Sequence, residues 1–63
     1  MARLSKDQIS RIKENAPSRL GAMQNHVNAK VRSRAHNEEM VKQIERGKTV
    51  GNAHKIAVRK VGI

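Results

Sequence analysis

The chain has 63 residues, with fourteen Lys and Arg against five Asp and Glu, for a net charge of +9. It has no Phe, Tyr, Trp or Cys, which excludes an aromatic core and any disulfide or thiolate metal site. A chain this short makes one small domain with little stability to spare, and its charge favours a polyanionic partner.

The first helix has the clearest start signal. Ser5 is a good N-cap, and Gln8 three residues later completes a capping-box pattern. Leu4 before the cap and Ile9 after it have the spacing of a hydrophobic staple. Asp7 suits the positive end of the helix, and Pro17 disfavours helix at Ala16. These signals predict a helix over 6–15.

Pro17 can open the next helix, where its missing N–H costs nothing. From 18 to 46 there is no further proline, and Gly21 is the only glycine. Leu20, Met23, Val27, Val31 and Ala35 fall in one stripe about 120° wide on a helical wheel. Met40, Val41 and Ile44 lie roughly 110° away from it. The pattern predicts a long central helix over 18–46, about 44 Å if unbroken. It bends near 36–38, where Asn37 can cap a restart with Glu38 and Glu39 in its first turn. Gly47 is the natural terminator, with Arg46 just before it.

After Gly47 two readings compete. Gly51-Asn52 between apolar runs is a two-residue hairpin signal, and Ile56, Val58, Val61 and Ile63 are β-branched. The alternative, preferred here, is a short helix capped by Asn52 and running to about Lys60, with basic residues at its negative end. The chain therefore divides into a helical region, 1–47, and a basic C-terminal element, 48–63. The expected fold is all-α: a small helical protein with a long or kinked central helix, arranged as a helical hairpin or a dimer.

On a continuous central helix Arg19, His26, Lys30 and Arg34 form a ridge roughly 80° wide beside the apolar stripe. Such a ridge can track a phosphate backbone. Arg11, Lys13, Lys55, Arg59 and Lys60 add charge elsewhere. With no aromatic side chain there is no stacking platform for unpaired bases, so duplex DNA or structured RNA fits better than single strands. Gln24, Asn25, Asn28 and Arg32 are candidates for reaching base edges.

Other chemistries find little support. Gly47-Lys48-Thr49 matches the end of a phosphate-binding loop, but the glycine that should open it falls at Lys42. His26, His36 and His54 lack the i, i+4 spacing of a metal clamp on one helix face, so no metal or cofactor is expected. The serines are explained by caps or solvent, a chain this short does not readily enclose a water-excluding pocket, and no catalytic residue is expected. No apolar run is long enough for a membrane span or a signal-peptide core, and the stripe has no Trp or Phe to anchor it on a membrane surface.

The expected function is a small basic nucleic-acid-binding accessory protein. It would grip phosphates through Arg19, Lys30, Arg32, Arg34, Lys55, Arg59 and Lys60. The alternative is a structural or regulatory subunit docking on a larger assembly such as a virion or polymerase-type complex, its basic face meeting acidic protein. In either case Leu20, Met23, Val27, Val31, Met40, Val41 and Ile44 are the expected oligomer or partner interface. With no apolar run long enough for a span or a signal peptide, a cytoplasmic or nucleoid-associated location, or a particle assembled there, is expected, and secretion is not. No membrane or small-molecule substrate is expected.

Overall fold

Ser5 starts the first helix in the computed structural model, which describes residues 3–63. Its hydroxyl accepts from the Gln8 N–H at 3.1 Å, and the Gln8 side chain accepts from the Ser5 N–H at 2.9 Å. This reciprocal box satisfies two donors that the first turn leaves unpaired. The helix it starts, α1, covers Lys6–Asn15, the expected bounds. Pro17 then opens a short 3-10 turn, Pro17–Arg19, that leads into α2, Leu20–Ala29.

The long central helix does not form. The chain breaks at 30–33 and resumes as α3, Arg34–Glu45, so the bend lies several residues before 36–38. Ser33, and not Asn37, is the cap: its hydroxyl accepts from the His36 N–H at 3.1 Å. Arg32 closes the other side. Its Nη1 donates to the His26 carbonyl at 2.9 Å and the Lys30 carbonyl at 3.1 Å. The first is one of the last four carbonyls of α2, which have no helical partner. The 110° offset between the two apolar groups marks a change of direction, and the turn supplies it. The whole body measures 26 × 22 × 17 Å, too short for a 44 Å helix.

Gly47 ends α3 at φ 93. Its N–H donates to Ile44 at 2.9 Å, and the Lys48 N–H donates to Gln43 at 3.0 Å. This is the Schellman arrangement, which places its left-handed residue at glycine because a side chain there is strained. The C-terminal element is a helix and not a hairpin: α4 covers Val50–Val61, capped by Thr49 instead of Asn52. The Thr49 hydroxyl accepts from the Asn52 N–H at 3.2 Å.

α3 lies between α1 and α4. The core is Ile12 and Ala16 from α1 and its end, Met23 and Val27 from α2, Met40, Val41 and Ile44 from α3, and Ala53 and Ala57 from α4. Leu4, Leu20 and Val50 pack against it, half-buried. The two alanines, four residues apart, share one face of α4 and let its backbone approach α3 closely, since interaxial distance follows side-chain size. Most of the expected interface is thus buried within the single chain. Val31 is the exception, lying in the break and 58% exposed.

A charged tie fixes α1 on α3. Arg11 Nη1 donates to Glu38 at 3.0 Å, and its Nε donates to Glu45 at 3.1 Å. Gln8 Nε2 adds a bond to Glu38 at 3.1 Å. Asp7, 80% exposed, stands 3.6 Å from Arg11 on the solvent side. Glu38 and Glu45, seven residues apart, line the same edge of α3, so removing Arg11 leaves two carboxylates facing each other. Arg11→Ala should lower stability by roughly 1–3 kcal/mol, read as a lower urea midpoint at unchanged slope. Asp7→Ala should stay within about 0.5 kcal/mol.

Candidate functional site

Three imidazoles meet where α2, α3 and α4 converge. His26 lies in the last turn of α2, His36 in the first turn of α3 and His54 in the first half of α4. One ring nitrogen from each lies within 4.8 Å of those of the other two. His26 and His36 stack with 13° between their planes, and His54 stands edge-on to both at 67° and 63°. His36 is fully buried, while the other two are half-buried.

The hydrogen bonds set the ring of His36. Its Nδ1 lies 2.7 Å from the Gly62 carbonyl. A carbonyl only accepts, so Nδ1 carries the proton and Nε2 presents its lone pair. That Nε2 lies 3.2 Å from His54 Nδ1, which donates to it. Gly62 ends α4 at φ 79, ψ −157, backbone that L side chains rarely adopt, and this conformation presents its carbonyl to His36. His26 Nε2 is buried with no hydrogen-bond partner among the described residues.

Burial is the main force on the two half-buried rings. It lowers the His26 pKa to about 4, with the positive charge of Arg32 adding to the effect. It lowers that of His54 too, helped by His36, Arg32 and Lys30. Both rings are therefore neutral near pH 7, the form that offers lone pairs. The chemistry of the cluster is that of a nitrogen ligand set suited to a borderline transition-metal cation.

The basic residues surround this region unevenly. Lys30 and Arg34 are exposed in the break and at the start of α3, and Lys55 and Arg59 are exposed one turn apart on α4. Lys60 pairs with Glu39 at 3.6 Å. Arg32 is half-buried and committed to carbonyls. Arg19 sits at the opposite end of α2, roughly 15 Å along the axis from Lys30. The expected ridge is not one file: His26 turns inward, α2 stops at Ala29, and Arg34 belongs to another helix. One feature the sequence reading missed is Arg3, which with Ser5, Gln8, Arg34, Asn37 and Glu38 lines an open depression at the N-terminal ends of α1 and α3.

The imidazole cluster was missed as well, because spacings of ten and eighteen residues have no meaning on one helix. A signal exists: His26, His36 and His54 each lie three or four residues from a core residue, respectively Met23, Met40 and Ala57. It becomes readable only once the break at 30–33 is known. Compared with known protein families, characterised proteins and solved structures, the chain matches none.

The depressed histidine pKa values give a defined pH dependence. Between about pH 6.5 and 4 the unfolded chain takes up protons that folded His26 refuses. Stability from this source is complete above pH 6.5 and falls as pH drops through that window. The melting temperature, followed by far-UV circular dichroism with a chelator present, should decline from pH 7 to about pH 5. Arg11 and Gln43 hold Glu38 and Glu39 below the ordinary 4.5, so the stability those two contribute is lost as pH falls below about 4.5, beneath this range. His26→Gln should flatten the decline.

Proposed function

We propose that this protein is a small nucleic-acid-binding accessory protein that grips the phosphates of duplex DNA or structured RNA. One observation carries the reading: three of the chain's five carboxylates are tied up internally, while most of its cations have no ion-pair partner among the described residues. Glu38 and Glu45 are tied to Arg11, and Glu39 to Gln43 and Lys60. Among the described residues only Arg11 and Lys60, of fourteen Lys and Arg, form ion pairs. Neutralising phosphates releases condensed counterions, and a surface of unopposed cations binds a polyanion by this route.

Lys30, Arg34, Lys55 and Arg59 are the principal contacts in this reading. Arg3 and Arg34 flank the depression at two helix N-termini, whose dipoles favour an anion, and the Glu38 carboxylate that also lines it is paired with Arg11. Arg32 holds the break in shape and so positions Lys30 and Arg34, and the pairing of Lys60 with Glu39 makes it a secondary contact. Arg19, at the far end of α2, would meet a separate phosphate.

A second reading, docking on an acidic protein surface within a larger assembly, draws on the exposed apolar residues at the end of α4. Val58, Val61 and Ile63 are 39%, 46% and 58% exposed. Acidic protein and phosphate differ in how binding responds to salt and to these valines.

The test is duplex binding measured by fluorescence anisotropy of a labelled oligonucleotide across a salt series. About five phosphate contacts give a slope of log K against log salt near −5. Lys30→Glu with Arg34→Glu should abolish binding, while Val58→Ser should leave it unchanged. A chain that ignores duplex DNA and RNA at low salt is not a phosphate binder, and the docking reading then stands.

A further inference from the structure

We propose that His26, His36 and His54 form a binding site for a first-row transition-metal dication, Zn²⁺ above all, with the fourth coordination position left to water or a small anion. The inference is independent of nucleic-acid binding and rests on the geometry of the three rings.

A tetrahedral Zn²⁺ with nitrogen ligands at about 2.0–2.1 Å holds those nitrogens roughly 3.4 Å apart. Nε2 of His36 and Nδ1 of His54 are already 3.2 Å apart. The metal takes the place of the proton between them. His54 then carries its proton on Nε2 in place of Nδ1, and both rings remain neutral imidazoles. One ring nitrogen of His26 lies within 4.8 Å of one from each of the other two rings, so a small closing movement of His26, on the last turn of α2, completes the set.

Two further features suit a metal ligand set. His36 donates its other ring N–H to the Gly62 carbonyl at 2.7 Å, the kind of outer contact that fixes the tautomer of a ligating histidine and raises its basicity. His26 contributes a buried Nε2 with no partner among the described residues. An apo protein normally satisfies such a group, and a metal ligand satisfies it by coordination. The three ligands come from three helices, so binding also ties α2, α3 and α4 together.

The ligand types select the ion. Arg32 and Lys30 are the charged groups whose fields reach the cluster, and no carboxylate joins it among the described residues. Oxygen-seeking Mg²⁺ and Ca²⁺ have nothing to bind, whereas imidazole suits Zn²⁺, Cu²⁺, Ni²⁺ and Co²⁺. The buried Nε–H of Arg32 also lacks a hydrogen-bond partner among the described residues.

The experiment titrates the full chain, freed of metal by a chelator and dialysed, with ZnCl₂ in a calorimeter and with CoCl₂ in a visible spectrometer. One ion per chain is expected, with the intense visible bands of tetrahedral Co²⁺ and a melting temperature raised by Zn²⁺ but not by Mg²⁺. His26→Gln and His54→Gln, both at half-buried positions, should each weaken Zn²⁺ binding by at least about 100-fold while the far-UV spectrum stays that of the parent. The proposal is overturned if Zn²⁺ neither binds the parent chain nor stabilises it, or if either variant keeps the parent's affinity.

Discussion

The structure depends on α3 having to satisfy neighbours on two sides at once. A chain with sixteen Leu, Ile, Val and Met and no aromatic residue cannot bury much in any one contact. One helix therefore presents its apolar residues inward along a broad face and uses its flanks for polar ties. Met40, Val41 and Ile44 meet the other helices, Glu38 and Glu45 hold α1 through Arg11, and His36 and Glu39 reach α4. Three of the five acidic residues are consumed by this arrangement. The strongly positive exterior is thus partly a consequence of how the interior is assembled.

Local chemistry was readable where the physics is local. The Ser5–Gln8 box, Pro17 and Gly47 act within one turn of themselves, and α1 and the end of α3 lie where those residues put them. The break at 30–33 was not readable, because it has neither proline nor glycine. It is made by Ser33 capping one helix and by Arg32 reaching back to the carbonyls of another, and a long basic side chain gives no such sign in advance. Its misplacement carried over to the candidate contacts. On a continuous helix Arg19, His26, Lys30 and Arg34 stand in file, whereas on two helices one of them faces the interior. The α4 residues were ambiguous for a different reason. Their β-branched side chains suit a strand, but Val58, Val61 and Ile63 are exposed, and the small buried pair Ala53 and Ala57 decides the packing.

The imidazole cluster shows how a polar group comes to sit in so small a core. Rings of intermediate size fill the space between three helices that aromatic rings usually fill, and each keeps a polar handle. Arg32 caps α2 at the His26 carbonyl, and Gly62 turns a carbonyl toward His36. Two helix ends thus position two of the rings, and the break that separates α2 from α3 is what lets His26 and His36 face each other. The feature least visible in the sequence is therefore the one that assembles the site.

A core made without Tyr or Trp has no near-ultraviolet chromophore of its own and no intrinsic fluorescence. Its three imidazoles take over the role of internal reporter. Their carbon-bound ring protons resonate apart from the aliphatic signals and would not overlap with those of any other aromatic side chain, since the protein has none. Each of the three comes from a different helix, so these resonances together follow the docking of α2, α3 and α4 at single-residue resolution, without any label being introduced.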